Sequence, residues 1–363
     1  MYKFSDIKIL QIEISNHCNA ACPQCPRNFF GGKTIPTLPL KTWNMTEFKN
    51  LFSIDLLKEL SQVYFCGTYG DPLTNKHIVH MCKFLKENNP NIEIGIHTNG
   101  GIGKTSTYSE LAQYTDFIAF GIDGIKNTNH IYRRNVKWNK LMANTAAYIN
   151  AGGKAIWDFI VFDHNQHQVE IARELSKSLG FTDFFVKCTS RFLNREHKYK
   201  DVLPVYNKQG LLDYTINIPT NKKYVNKNYE ILNQLQSQHS SLEKYANTTC
   251  IKCNADRIKE IYIGADGYVF PCGWLHDRMY GVEVESHSDY IKIRELITQA
   301  GGITKTNIFY NSLENIVNGS WFNIISDSWT NQNRRDLQAC NNAAFRLYGL
   351  TYKEQSALEG NGN

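Results

Sequence analysis

The chain has no run of 18 or more apolar residues, which excludes a helix that spans a membrane by itself. The first residues, Met1-Tyr-Lys-Phe-Ser-Asp6, lack the apolar core of a secretory signal, so a cytoplasmic location with reduced thiols is expected. There is no long basic run, and a formal net charge of +6 is small for 363 residues. That charge describes an ordinary solvated surface rather than a nucleic-acid footprint, while leaving room for an anionic substrate. Cysteine is not scarce. Ten are present, and six of them fall in two short groups, Cys18/Cys22/Cys25 and Cys250/Cys253/Cys272. Dispersed structural thiols do not cluster in this way, and reduced thiols that do cluster point to metal ligation.

The first group reads C-x3-C-x2-C within Ser15-Asn-His-Cys-Asn-Ala-Ala-Cys-Pro-Gln-Cys-Pro-Arg27. With ten cysteines, this spacing arises by chance at roughly 0.8%. The preceding segment, Ile7 to Ile14, alternates apolar and polar residues as a half-buried strand does. Three thiols on a loop beyond a strand can hold three irons of a four-iron cluster and leave one iron open to a ligand. Zinc and plain buried thiols are the alternatives. Structural zinc takes four ligands, and no histidine follows at a suitable spacing.

From residue 7 to about 190, strand-like and helix-like segments alternate. Strands are expected at Ile7–Ile14, Val63–Cys66, Ile92–Ile96, Asp116–Ile122, Ala155–Phe162 and Phe184–Cys188. Asn44-Met-Thr-Glu47 reads as a capping box that opens a helix with an apolar stripe from Phe48 to Leu60. Asn165 is expected to cap a helix with Ile171, Leu175 and Leu179 on its apolar face and Gly180 at its end. In such folds ligands bind at the C-terminal ends of the strands. Those ends carry Cys66-Gly-Thr-Tyr-Gly-Asp-Pro72, Thr98-Asn99-Gly100, Gly121-Ile-Asp123-Gly124 and Val161.

These motifs, in this order, resemble the radical S-adenosylmethionine (SAM) family. The resemblance implies a partial (β/α)6 TIM-like barrel over residues 1–195. It implies that Cys18, Cys22 and Cys25 hold a [4Fe-4S] cluster whose open iron is chelated by SAM. The reduced cluster would then release a 5′-deoxyadenosyl radical that abstracts hydrogen from a substrate. Tyr69, Gly70, Asp71 and Pro72 would contact the SAM ammonium group, although the family's usual glutamate is here an aspartate. Thr98, Asn99 and Asp123 would reach its ribose and methionine parts. Arg134, rather than Arg133, is assigned to the carboxylate, and Val161 to the adenine. Gln24 replaces the aromatic residue found in many members before the last cluster cysteine, which leaves Phe29 or Phe30 to stack on adenine.

Residues 196–249, rich in Asn, Lys, Gln, Ser and Tyr, read as a bridge with helix-like stretches such as Tyr229–Leu235. Beyond it, Ile261 to Cys272 reads as a β-hairpin turning at Asp266-Gly267. With Cys250, Cys253, Cys272 and Cys340, residues 250–345 resemble the auxiliary-cluster domain called SPASM, or twitch in its shorter form. Four cysteines suit one auxiliary [4Fe-4S] cluster; zinc is the alternative. Residues 346–363 read as a tail. Cys66 and Cys188, at strand ends, are candidate hydrogen-atom donors, with a plain buried thiol as the alternative. The resemblance implies an oxidoreductase acting on a peptide or small molecule, reduced by a donor such as flavodoxin or ferredoxin. The rival readings are a radical SAM enzyme that modifies tRNA and a non-enzymatic iron–sulfur or zinc protein.

Overall fold

The computed structural model describes residues 1–192, 200–227, 253–280 and 288–330, with isolated positions 234, 237 and 238. Cys250, Cys340, the Tyr229–Leu235 stretch apart from position 234, and the tail lie outside the described residues.

Short alternating or continuously apolar runs produce six parallel strands: β1 (Ile9–Ile12), β2 (Gln62–Phe65), β3 (Glu93–Thr98), β4 (Phe117–Gly121), β5 (Ala155–Ile160) and β6 (Asp183–Lys187). They pair in sequence order, as expected of a partial barrel. Helices cover one face of the sheet: α1 (Met45–Asn50), α2 (Ile54–Glu59), α3 (Ile78–Asn88), α4 (Thr105–Leu111), α5 (Asn129–Tyr132), α6 (Trp138–Asn150) and α7 (Val169–Ser178). Helix α3 shows why. Ile78, Met81, Cys82 and Leu85 recur at helical spacing, and all four are buried. Strand β4 is buried along its whole length, as a central parallel strand should be. On the other face of the sheet, Phe117, Ala119 and Ile156 form a small apolar cluster with Tyr64 and Phe185 against it.

Three local expectations need correction. The Asn44–Glu47 capping box forms, but the helix it opens ends at Asn50. Ser53 accepts a hydrogen bond from Leu56 N–H and starts a second helix, so two short helices replace one. Asn165 caps no helix. It is buried, and its Nδ2 donates to the carbonyls of Asp123 and Ile160, which ties the exits of β4 and β5 together. A 3₁₀ turn over Gln166–Gln168 follows, and α7 starts only at Val169. That start turns Val169, Ala172 and Ser176 inward and leaves Ile171 60% exposed.

The segment read as a bridge contains an antiparallel hairpin, β7 (Val202–Tyr206) and β8 (Leu212–Asn217). It docks on the N-terminal loop through Tyr206 N–H to Phe30 O. After α8 (Asn254–Ile258), the expected hairpin is present as β9 (Glu260–Ile263) and β10 (Val269–Phe270). Its placement was not foreseen. Strand β9 pairs in parallel with β1, giving the sheet order β10-β9-β1-β2-β3-β4-β5-β6. The chain thus returns to the barrel's first strand and brings Cys272, just before α9 (Gly273–His276), over its mouth. Four further helices, α10 (Ser288–Gln299), α11 (Ile303–Thr306), α12 (Leu313–Val317) and α13 (Ser320–Thr330), pack behind this hairpin, with Trp321 Nε1 donating to Val269 O.

Candidate active site

A cavity of about 380 Å³ opens at the C-terminal ends of the strands. The loop after β1 contributes Cys18, Cys22 and Cys25 to its wall. Tyr69, Gly70 and Asp71 after β2, Thr98 and Asn99 at the end of β3, and Cys188 after β6 line it too, together with Cys66 and Cys272. Pro72, Asp123, Arg134, Val161 and Cys253 do not.

The three N-terminal thiols line one cavity, Cys22 buried and Cys18 and Cys25 half-buried. Desolvation raises all their pKa values; Asp71, Cys22 and Cys25 raise Cys18 further, and Cys25 is pushed up to about 12 by desolvation and then by Cys22. A bound metal reverses that preference, because ligation deprotonates a thiol outright. N–H donors already point at sulfur. Ala20 N lies 3.4 Å and Asn99 Nδ2 3.6 Å from Cys18 Sγ, and Arg133 Nη1 lies 3.9 Å from Cys22 Sγ. Donors aimed at sulfur stabilise thiolate ligands and tune a cluster's potential. Among the described residues, no three His, Cys, Asp or Glu side chains meet closely enough to hold one metal ion. Three thiols on one cavity wall fit a four-iron cluster with one iron left open, whereas structural zinc takes four ligands.

Asp71 does not offer its carboxylate to the cavity. Its oxygens accept from Leu73 N (3.0 Å), Thr98 Oγ1 (2.9 Å), Asn99 N (2.9 Å) and Asn99 Nδ2 (2.7 Å). It locks the turn after β2 to the end of β3 and leaves the turn's backbone facing the cavity. Gly70 is required by close approach: a Cβ there would lie 1.9 Å from Ser15 O. Burial raises the Asp71 pKa, and the donors around it pull the other way.

The arginine assignment is corrected. Arg134 turns away, bonded to Tyr206 O (3.0 Å) and ion-paired with Asp213 (2.8 Å) on the β7–β8 hairpin. Arg133 lines the cavity, and its Nε lies 2.6 Å from Asp123 Oδ2. Burial works against the guanidinium's charge, but Asp123 and Cys22 outweigh it and hold Arg133 above its ordinary pKa. Gly121 makes the room, since a Cβ there would lie 2.2 Å from the guanidinium. Asp123 thus reaches the cavity only through Arg133. Val161 is fully buried in the main core, and its neighbour Ile160 lines the cavity instead. Phe29 stacks on Tyr206 of β7, with Phe30 edge-on, and neither lines the cavity.

Several polar groups at the site were not singled out from the sequence. Cys66 Sγ lies 3.9 Å from His97 Nδ1, His97 Nε2 lies 3.6 Å from Asp158 Oδ2, and Lys187 Nζ lies 2.9 Å from that same oxygen. Burial pulls His97 down to about 4 and pushes Cys66 up to about 12, so both are neutral near pH 7. His97, Asp158 and Lys187 sit within strands whose alternation was visible. Their inward direction was the available signal.

On the auxiliary side, Cys253 acts on Cys272. Cys272 is pushed up to about 12 by burial first and then by Cys253. Cys272 and the N-terminal triplet line one cavity.

The fold and site define a parallel α/β half-barrel with a thiol-lined pocket at its strand ends. Residues 12–175 match the family model described as the Radical SAM superfamily. Across 308 residues the chain is 19% identical to the GTP 3′,8-cyclase of Campylobacter curvus, covering 81% of this chain and 88% of that one. It shares its fold with anSMEcpe, solved with bound AdoMet, at a TM-score of 0.52 and 12% identity over 96% of this chain and 87% of the other. The chain spans 61% of Streptococcus suis SuiB (15% identity over 75% of this chain, TM-score 0.48). It spans 5% of the type II methyltransferase M.PaeR7I of Pseudomonas aeruginosa, 69% identical over 29 residues that make up 8% of this chain.

Proposed function

We propose that the protein is a radical SAM oxidoreductase acting on a peptide or small molecule, with an auxiliary cluster on the C-terminal cysteines. The observation that carries this reading is the shared cavity: the C-x3-C-x2-C thiols and the strand-end motifs from β2 and β3 surround one space. Cys18, Cys22 and Cys25 would hold the catalytic cluster, and Asn99, Ala20 and Arg133 would stabilise their sulfurs. When bound and reduced, that cluster supplies one electron to the SAM sulfonium, so that a 5′-deoxyadenosyl radical can form and take hydrogen from the substrate. The backbone of Tyr69-Gly70-Asp71, shaped by Asp71 itself, is placed to bind the SAM amino group. Arg133, kept charged by Asp123, is the cation available to a carboxylate. Cys66, His97 and Lys187, the last two anchored by the buried Asp158, would give the inner wall a polar surface for substrate, and Cys66 and Cys188 would supply thiols as candidate hydrogen donors. Cys253 and Cys272, the latter on the cavity wall, would help hold an auxiliary cluster, which would supply an electron acceptor for the oxidation. The fold shared with anSMEcpe, whose structures hold AdoMet with a peptide, keeps peptides among the substrate classes.

The test is anaerobic reconstitution, iron counting and a dithionite–SAM assay. About eight irons per chain and formation of 5′-deoxyadenosine are expected from two four-iron clusters. About four irons with zinc would remove the auxiliary cluster. Zinc on Cys18, Cys22 and Cys25, or no SAM cleavage by an iron-loaded protein, overturns the reading.

A further inference from the structure

Besides Asp71, two side chains that do not line the cavity, Glu13 and Tyr262, hold the turn Gly67–Gly70. Glu13, just past β1, is 1% exposed. Its Oε1 accepts from Tyr69 N (2.8 Å) and Gly70 N (2.6 Å). Its Oε2 accepts from the hydroxyl of Tyr262 on β9 (2.9 Å), and that same hydroxyl accepts from Thr68 N (3.3 Å). Two further contacts tie the turn to the C-terminal segment. Tyr69 OH donates to His276 O (3.1 Å), and Thr68 Oγ1 to the carbonyl of Gly273, the residue after Cys272 (3.5 Å).

A carboxylate this deep is tolerated only with its donors in place. Burial pushes the Glu13 carboxyl up from its ordinary range, while His276, the Tyr69 N–H and Tyr262 pull it down. Half of that support comes from the turn after β2, and half from a segment about 250 residues later in the chain. Gly67 confirms how tight the arrangement is, since a Cβ there would lie 2.5 Å from Glu13 Oε1.

We infer that Glu13 and Tyr262 are positioning residues through which the Cys272-bearing segment sets the shape of the SAM turn, and hence SAM affinity. The inference rests on the radical SAM reading and adds a coupling between the two cysteine regions. Because coupling is reciprocal, SAM binding must in turn steady the β9–β10 hairpin.

The experiment uses the full chain, reconstituted without oxygen, with SAM binding measured by equilibrium dialysis. Glu13→Gln and Tyr262→Phe should each weaken SAM binding about tenfold, equivalent to ~1.4 kcal/mol. The double variant should be little weaker than either single one, because both break one linkage. A melting curve accompanies each variant: a merely structural role lowers the melting temperature and leaves the dissociation constant alone. Amide hydrogen exchange in the wild type gives a readout without mutation, with SAM expected to slow exchange across Glu260–Phe270. Wild-type binding with unchanged variants, or unchanged exchange on SAM addition, overturns the coupling alone. A wild-type chain that is loaded with iron and binds no SAM overturns the reading beneath it and the coupling as well.

Discussion

Arg133 holds Asp123 at 2.6 Å, and both side chains are withdrawn from solvent, whereas the adjacent Arg134 pairs with a half-exposed Asp213 on the outer hairpin. Two consecutive arginines of similar exposure therefore pair with carboxylates in opposite environments, Asp123 fully buried and Asp213 half-exposed. Removing one partner of a buried pair strands the other charge, at a cost of about 3–5 kcal/mol. An exposed pair is worth about 0–1 kcal/mol. Arg133→Ala should lower unfolding stability by that larger amount and abolish SAM binding. Arg134→Ala should change either by little. Urea denaturation and SAM dialysis of the two variants check this, and equal effects would refute the assignment of Arg133 to the cavity.

Asp71 offers a second contrast. Its carboxylate accepts only, and every partner donates. Asp71→Asn turns one acceptor into a donor that faces other donors, so hydrogen bonds to a charged group, worth about 1.5–3 kcal/mol each, are lost with no replacement. A stability loss of at least ~2 kcal/mol is expected from chemical denaturation. Asp71→Glu adds a methylene to a fully packed site and should not rescue it, although glutamate is the residue the family pattern leads one to expect.

Much of this was legible because it is written locally. The six strands follow from short alternating or continuously apolar runs, the Asn44 capping box from four residues, and the thiol triplet from its spacing. What was hidden depends on long-range order. Nothing near Ile261 announces that its strand pairs with β1, because parallel register is set by packing. Within the strands of the β7–β8 hairpin only Leu203, Val205 and Ile216 are buried, too few for a visible period. Asn165 carries the composition of a cap, but buried carbonyls at the exits of β4 and β5 claim its amide first. Arg133 and Arg134 could not be separated by pattern because they follow a four-residue helix whose register no periodicity fixes.

Gly70 and Gly210 separate close approach from backbone conformation. Gly210 has φ of +86° with nothing within 4 Å of a would-be Cβ, so Gly210→Ala should cost only the left-handed penalty of about 1–2 kcal/mol. At Gly70 the obstacle is the backbone oxygen of Ser15, which has no rotamer to escape into. Gly70→Ala must displace either the turn or the strand exit that leads to Cys18. The expected result is loss of SAM binding for Gly70→Ala and retention for Gly210→Ala, read from dialysis beside melting curves. Retained binding in Gly70→Ala would show that the turn's backbone is not part of the SAM pocket.

His97 makes a pH prediction whose sign follows from its surroundings. Burial lowers its pKa to about 4, with Lys187 and Arg133 acting in the same direction and Asp158 against. In the unfolded chain the imidazole titrates near 6.5. Between pH 6.5 and about 4, unfolded chains bind a proton that the native site refuses, so this residue's contribution lowers stability as the solution is acidified and levels off below about pH 4. The full span is at most ~3 kcal/mol. His97→Gln should remove that slope, measured as the difference between wild-type and variant unfolding free energies at pH 7, 6, 5 and 4. A difference that does not vary with pH would mean that His97 is protonated in the native cavity, and the neutral Cys66–His97 pair would have to be redrawn.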